Sequence, residues 1–216
     1  MTVFLEFYGL PGCGKSTISH LVAEELRKQG KIVKEPTYDL DHKLPGGKRK
    51  TIKLLRLLQY GVFHHGQYKY LTQMIKDNGY SGAEIVSQAA NIAPKLWVYE
   101  KASADYVVFD EGLVQSAISL CRGKRNSTEN ETALHSLCEE RKVLKIYIRV
   151  NTETALERMA GRDKHDSRIE KISGPKEQRE ALKAFEERIE CISSGLIIDE
   201  GTFDASVKKI MLQICD

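Results

Sequence analysis

Short apolar runs alternate with longer amphipathic segments along the 216 residues of this chain. The apolar runs predict five strands, at residues 3–8, 31–35, 106–110, 143–150 and 196–199. Ile18, Leu21, Val22 and Leu26 recur at helical spacing and predict a helix over residues 15–29 that ends before Gly30; a last helix covers residues 205–214. Because strands that alternate with helices favour crossover connections, we expect an α/β fold with a doubly wound, five-stranded parallel sheet.

A long stretch between the second and third strands interrupts this alternation. Residues 37–104 predict a helical insertion, with helices near residues 51–60, 67–77 and 82–103. Within it, the basic and glycine-containing residues 43–50 predict a loop, and Pro36 is expected to close the second strand. Residues 160–173 are rich in charge and predict a mobile surface segment between two helices. Without a linker or an internal repeat, the pattern favours one domain over residues 1–216.

A glycine-rich loop joins the first strand to the first helix. Its sequence, Gly9-Leu10-Pro11-Gly12-Cys13-Gly14-Lys15-Ser16, matches G-x-x-x-x-G-K-[ST] at every fixed position. Glycines let backbone amides converge on phosphate oxygens, and the following helix directs its N-terminus at the anion. We expect Lys15 to contact the β- and γ-phosphates, Ser16 to bind Mg²⁺, and the segment from Gly9 through Pro11 and Cys13 to Thr17 to hold the nucleotide.

Two carboxylates, Asp110 and Glu111, follow the third strand. Ligands of open parallel sheets bind outside the carboxyl ends of the strands, so this pair should face the same crevice as the phosphate loop. A carboxylate there binds Mg²⁺ or accepts a proton from an attacking hydroxyl. Asp110 is the expected metal ligand, and the spacing leaves open which of the two acts as the base.

Three arginines lie in or beside the charged segment of the second half: Arg158, Arg162 and Arg168. An arginine supplied by the same chain neutralises the charge that builds up during phosphoryl transfer. Arg158 and Arg162 are four residues apart and would share a helix face. We expect residues 158–173 to form a mobile lid that carries these side chains.

Composition narrows the classes of partner and the compartment. A net charge of +3, from 33 basic and 30 acidic residues, is too balanced for a nucleic-acid-binding surface. No apolar run approaches the roughly 18 residues that span a bilayer, and the first strand is too short for a secretory signal. The cysteines lack metal-ligand spacing, so we expect free thiols in a reducing cytoplasm. They are Cys13, Cys121, Cys138, Cys191 and Cys215.

Several short segments follow the phosphate loop in a fixed order. They are Lys34-Glu35-Pro36-Thr37, Ala89-Ala90-Asn91-Ile92, Phe109-Asp110-Glu111-Gly112 with Ser116, the run from Val150 to Arg158, Ser167-Arg168-Ile169-Glu170, and Ile197-Ile198-Asp199. In order and spacing they resemble segments of the thymidylate-kinase group of P-loop kinases nearly end to end. The resemblance implies ATP and Mg²⁺ as cofactors, a lid with arginines, an acceptor site in the helical insertion, and a homodimer as one form of assembly.

The chain departs from that group where the group binds the acceptor's phosphate. Arginines of the family are replaced by Ile92 and Glu111, and a third by Lys34, which lacks the bidentate fork of an arginine. Either other basic residues rebuild a phosphate site, or the acceptor presents a plain hydroxyl and the acidic pair supplies its base. Candidates for the first option are Arg49, Lys50, Arg56, Arg122 and Arg125.

The expected function is therefore a Mg-ATP-dependent kinase that transfers the γ-phosphoryl group to a small-molecule acceptor, with a hydroxyl of a nucleoside-like or other metabolite preferred. One alternative is a nucleoside monophosphate kinase, of thymidylate type, that uses substitute arginines. Another is a regulatory P-loop NTPase whose hydrolysis drives a partner. A protein or nucleic acid, rather than a metabolite, would stimulate ATP consumption by such a switch.

Overall fold

The computed structural model describes residues 2–122, 126–138, 141–161, 169, 171–192 and 195–215. Five strands form one all-parallel sheet in the order β2-β3-β1-β4-β5. The central strand, β1, pairs Val3 with Tyr106 on one side and with Lys142 on the other. The strands are β1 (Val3–Tyr8), β2 (Val33–Lys34), β3 (Tyr106–Phe109), β4 (Lys142–Ile148) and β5 (Leu196–Ile198). The predicted α/β fold class is confirmed.

Helices flank the sheet on both faces. Those before and within the insertion are α1 (Lys15–Lys28), α2 (Pro36–His42), α3 (Gly46–Phe63), α4 (His65–Asp77) and α5 (Ala83–Lys101). Those after β3 are α6 (Leu113–Leu120), α7 (Ser127–His135), α8 (Thr152–Ala160), α9 (Pro175–Glu190) and α10 (Phe203–Cys215). None of the helices in the described ranges is long and apolar enough to cross a membrane.

Local structure differs from the sequence prediction around the second strand and the basic segment. β2 has only two residues, and Pro36 opens α2 at its first position, where the missing N–H of proline costs nothing. The predicted loop over residues 43–50 is wrong in its second half, because α3 already begins at Gly46. Helices α6 and α7 were not predicted. The latter starts with a capping box between Asn126 and Glu129.

Alternation along β1 divides the core into two layers. Leu5 and Phe7 belong to the layer covered by α1, α8, α9 and α10, whereas Phe4 packs under α3, α4 and α5. The ring of Phe4 stacks on Tyr99 of α5 at 4.2 Å between centroids. The carboxyl ends of β1 and β3 lie side by side, because the two strands are parallel neighbours. This edge of the sheet carries the phosphate loop and the acidic pair.

Candidate active site

The phosphate loop depends on glycine at positions where a side chain would collide. Gly12 has φ +86, and a Cβ atom there would lie 2.5 Å from the carbonyl oxygen of Ala155 in α8. Gly9 donates its backbone N–H to Gln115 Oε1 of α6 at 3.0 Å. The loop therefore packs between α6 and α8, and Gln115 of α6 fixes the direction of the Gly9 amide.

Lys15 is buried at the centre of this loop. Its Nζ atom donates to the carbonyl oxygens of Gly9 and Leu10, at 3.1 and 3.0 Å. The sulfur of Cys13 lies 3.8 Å from the same nitrogen. These uncharged partners place the Lys15 ammonium group against the phosphate loop, where phosphate oxygens would be attracted to it.

The N-terminus of α1 is open to an anion. Gly14 precedes the helix in the left-handed conformation, with φ 95, and no side chain caps the first turn. The first turn also carries no acidic residue, so its free amides and the helix dipole favour a negative ligand. The structure thus brings together the whole predicted segment from Gly9 through Pro11 and Cys13 to Ser16 and Thr17 at the carboxyl edge of β1.

Asp110 meets the phosphate loop directly. Ser16 donates its hydroxyl to Asp110 Oδ2 at 2.7 Å, across 94 positions of sequence. The other oxygen, Oδ1, is buried without a hydrogen-bond partner. Glu111, the next residue after Asp110, is exposed. The two adjacent carboxylates therefore occupy different surroundings, one against the loop and one towards solvent.

The Ser16–Asp110 pair fits a magnesium ion. Mg²⁺ prefers oxygen ligands and is usually held by one or two protein groups together with substrate phosphates and water. The unpartnered Oδ1 of Asp110 is a free ligand atom in a buried position. Among the described residues no group of three or more His, Cys, Asp or Glu side chains forms an all-protein metal site, so a metal here would depend on the nucleotide.

Glu6 fixes the turn that carries the acidic pair. This fully buried carboxylate accepts hydrogen bonds from the backbone amides of Leu113 and Val114, at 2.9 and 2.7 Å. The hydroxyl of Tyr99 also donates to it, at 2.5 Å. Glu6 thus satisfies the first amides of α6 and joins β1 to the β3–α6 turn. A charged residue inside an apolar strand was the only sequence signal for this role.

Glu35 is a second buried carboxylate; in the sequence it belongs to the segment Lys34-Glu35-Pro36-Thr37 but carries no predicted role. It follows β2 and lies 2.6 Å from Arg27 and 2.9 Å from His20. Tyr38 stacks on His20 at 4.1 Å between ring centroids. Burial raises the pKa of Tyr38, as do the negative charges of Glu35 and Asp110. Glu35 and Asp110 therefore both raise the pKa of Tyr38 at this edge of the sheet.

Two lysines of the insertion also reach this edge. Lys95 Nζ donates to the carbonyl oxygen of Gly112 at 3.2 Å and to the hydroxyl of Ser116 at 2.7 Å. Lys53 Nζ donates to Asn91 Oδ1 at 3.1 Å, one turn before Lys95 on α5. Lys95 lies three residues after Ile92 and therefore on the same side of the helix. This spacing was the signal in the sequence that a basic residue could serve in place of the family arginine.

The substitute arginines proposed from sequence are engaged elsewhere. Arg49 pairs with Asp41 at 3.1 Å, and Arg122 pairs with Glu84 at 2.7 Å. Arg56 donates to Gln59 and lies 5.8 Å from the centre of the Trp97 ring. Lys50 is exposed and Arg125 lies outside the described residues. The structure brings none of the described ones to the acidic pair.

Arg158 lies in the last turn of α8 and pairs with Glu200 at 3.2 Å, just after β5. Thr154 donates to the same carboxylate at 3.4 Å. Arg162 and Arg168 lie outside the described residues, so of the predicted lid arginines the structure places Arg158 alone.

Cys13, Cys121, Cys138 and Cys191 are free thiols.

Comparison with known proteins identifies the architecture. A scan of protein-family models found no match, and neither did a search of curated proteins. Among solved structures, deoxyadenosine kinase from M. mycoides, with the products dCMP and a flexible dCDP bound, matches with a TM-score of 0.51 at 18% identity, over 100% of this chain and 98% of that one. The chain has the fold of a P-loop kinase.

A further match along the chain is shikimate kinase from Acinetobacter baumannii in complex with shikimate, with a TM-score of 0.49 at 14% identity, over 99% of this chain and 92% of that one. At such identities the likeness to solved structures describes the fold. The reaction is argued below from the side chains at the carboxyl edge of the sheet.

Proposed function

We propose that this protein is a Mg-ATP-dependent kinase that transfers the γ-phosphoryl group to a hydroxyl of a small-molecule acceptor. The observation that supports it most directly is the 2.7 Å hydrogen bond from Ser16 to Asp110 beside a complete phosphate loop. The P-loop kinase fold is the context in which that pair binds metal and nucleotide.

The residues of the chain divide the work of phosphoryl transfer among them. The amides of the loop and the N-terminus of α1 hold the phosphates, and Lys15 neutralises charge on the transferred group. Ser16 and Asp110 would hold Mg²⁺, which supplies charge neutralisation between the phosphates when bound. Arg158, which pairs with Glu200 in this structure, would complete the positive surroundings of the transferred group together with Arg162 and Arg168 of the predicted lid.

The different surroundings of the two adjacent acids suggest separate roles. Asp110 is turned towards the phosphate loop through Ser16, which suits a metal ligand. Glu111 is exposed and has no ion pair among the described residues, which suits a base that must reach an entering acceptor. We therefore assign to Glu111 the removal of the proton from the acceptor's hydroxyl.

A nucleoside monophosphate kinase of thymidylate type is the second candidate. The observation that favours it is the pair of lysines near the β3–α6 turn, which could replace the family arginines at a phosphate. The deoxyadenosine kinase among the structural matches favours a nucleoside hydroxyl instead.

The test is ADP release from Mg-ATP across a panel of acceptors: nucleosides, nucleoside monophosphates including thymidylate, and phosphate-free hydroxy compounds. Stimulation by a hydroxyl compound supports the first candidate, and the phosphorylated product identifies the reacting atom by mass spectrometry and ³¹P NMR. A diphosphate product from a monophosphate supports the second. ATP consumption that responds only to a protein or nucleic acid would replace both with a regulatory NTPase.

A further inference from the structure

Lys53 and Lys95 form a basic pair between α3 and α5. Lys53 bonds Asn91, and Asn91 lies one helical turn before Lys95, so both ammonium groups project on the same side of α5. Lys95 also bonds the carbonyl oxygen of Gly112, two residues after Asp110. The pair therefore borders the turn that carries the acids proposed for metal binding and proton transfer.

The two charges are not neutralised by a contacting carboxylate. Within the described ranges, the partners of these lysines are neutral oxygens, and no acidic oxygen lies within 4.0 Å of either Nζ atom. Of the three donors of the Lys95 ammonium, two are used, by Gly112 and Ser116. Four of the eight other lysines and arginines of the insertion do contact an acid or the face of an aromatic ring: Lys43, Arg49, Arg56 and Lys101.

Burial has a larger effect on the pKa of Lys95 than the three carboxylates near it. Burial lowers the pKa of Lys95 and the nearby charge of Lys53 lowers it further, while the carboxylates of Glu111, Glu6 and Asp110 raise it. Glu6 already accepts hydrogen bonds from two backbone amides and a tyrosine. Because an ammonium removed from water is stabilised by an opposite charge, a ligand with a negative group would be attracted to this position.

We propose that Lys53 and Lys95 bind an anionic group, a phosphate or a carboxylate, on the acceptor molecule. This inference rests on the proposed kinase function and deepens it by naming the acceptor's chemical class. The acceptor then carries a negative group held between α3 and α5 and presents its hydroxyl towards Glu111. The site differs in its residues from the family arginines, whose positions are Lys34, Ile92 and Glu111 here.

Direct binding of simple anions tests the site apart from catalysis. Inorganic phosphate and acetate are titrated calorimetrically into Lys15→Ala protein, in which the phosphate loop has lost its cation. We expect one of these anions to bind, and Lys95→Met or Lys53→Met in the same background to weaken it about tenfold or more. Lys101→Met, an exposed lysine of α5 paired with Glu100, is the matched control and should bind as before.

Absence of anion binding to the Lys15→Ala protein, or equal binding by the Lys53 and Lys95 variants, would overturn the proposal. Far-ultraviolet circular dichroism and thermal melts establish that each variant is folded, and Lys53→Met provides a second reading if Lys95→Met does not fold. ATP binding measured on protein that retains Lys15 reports the phosphate loop, so a failed anion site and a failed kinase assignment are told apart.

Kinetics then distinguish the two sources of negative charge. With the acceptor found in the panel, Lys95→Met should raise the KM for the acceptor about tenfold or more and leave the KM for ATP unchanged. An acceptor that is phosphorylated on a hydroxyl and already carries a phosphate would identify the anion as phosphate, and a hydroxy acid would identify it as carboxylate. Transfer to the phosphate itself would support the monophosphate kinase instead. An uncharged acceptor whose KM does not respond to Lys95→Met would contradict the inference.

Discussion

Lys15 donates hydrogen bonds to neutral atoms of its own loop, and no carboxylate partner lies beside it in the described structure. Its charge is thus available to phosphate oxygens, and its burial leaves little water to screen it. Gly12 is required because a Cβ atom at this position would collide with Ala155, and Asp110 accepts a hydrogen bond from the hydroxyl of Ser16.

Lys15→Ala should lower kcat about 10²–10³-fold, because a preorganised cation at the transferred phosphate is lost. Steady-state ADP release with the acceptor that the panel identifies measures the effect. Lys28→Ala, at the exposed end of the same helix, should leave kcat within about twofold, as expected for a surface substitution. Unchanged turnover in Lys15→Ala would refute the kinase assignment.

Gly12→Ala should destabilise the protein and weaken ATP binding. The new Cβ would lie 2.5 Å from the Ala155 carbonyl oxygen, and φ +86 is unfavourable for alanine. Gly30 is a matched control, since it has φ +79 and a Cβ atom there would meet no other atom within 4 Å. In urea titrations, Gly30→Ala should cost about 1–2 kcal/mol for the dihedral alone. Equal losses for the two variants would show that the collision is relieved at no cost.

Asp110→Asn and Glu111→Gln should have separable effects. The first removes a charge from the proposed metal site, so it should raise the Mg²⁺ concentration required for half-maximal activity. The second should lower kcat about 10²–10⁴-fold without changing that requirement, because a general base is lost. Rates measured across a magnesium titration give both quantities. An increased magnesium requirement in Glu111→Gln with none in Asp110→Asn would reverse the assignment.

Among the elements, α6 is positioned by the central strand β1. Glu6 of β1 accepts hydrogen bonds from the first amides of α6, and Gln115 in the first turn of α6 accepts a hydrogen bond from the amide of Gly9. The same helix therefore orients both the phosphate loop and the turn with Asp110 and Glu111. A change at Glu6 should be felt in stability and in activity together.

Glu6→Gln should lower the free energy of unfolding by about 2–3 kcal/mol, since a neutral amide replaces a carboxylate that accepts three hydrogen bonds. It should also lower kcat by displacing the β3–α6 turn. Denaturant titration and steady-state rates measure the two effects. Glu25→Gln, on the exposed surface of α1, should change stability by about 0.5 kcal/mol or less. A loss of that small size in Glu6→Gln would show that the α6 amides find other partners.

At the scale of the whole molecule, the buried phenols of the sheet limit stability at high pH. Burial raises the pKa of Tyr8, on β1, from 10.0 to about 12. Burial likewise raises the pKa of Tyr147, on β4, from 10.0 to about 12, and the two rings stack at 5.3 Å between centroids. The folded sheet therefore keeps two phenolic protons that the unfolded chain releases earlier.

The free energy of unfolding should fall as the pH rises from 10 to 12, because the unfolded state binds fewer protons than the folded state in that range. Each phenol contributes at most about 1.4 kcal/mol per pH unit. Denaturant titrations at several pH values measure the slope, which Tyr8→Phe should reduce. Tyr70→Phe, at an exposed position, is the control. A slope that Tyr8→Phe leaves unchanged would assign the alkaline loss to other groups.

Much of the fold follows from contiguous residues. The strand from Val3 to Tyr8, the glycine loop and the helix from Lys15 were predictable because dihedral preference, hydrophobic spacing and backbone hydrogen bonding act over neighbouring positions. Asp110 was placed near the loop by the general rule for parallel sheets. The helix starting at Gly46 was missed because glycines at a first turn lower helix propensity, whereas packing of α3 on α5 determines the outcome.

The parallel α/β architecture, the phosphate loop and the acidic end of the third strand were predictable from the order of the residues alone. Three features became visible only in three dimensions. Asp110 is the acid that meets Ser16, Glu6 supports α6, and Lys53 lies near Lys95 while Arg49 and Arg122 pair elsewhere. These contacts were not predictable because the residues that make them lie far apart along the chain. Contacts such as Ser16–Asp110 join residues 94 positions apart, and packing of helices on the sheet sets their burial and charge environment.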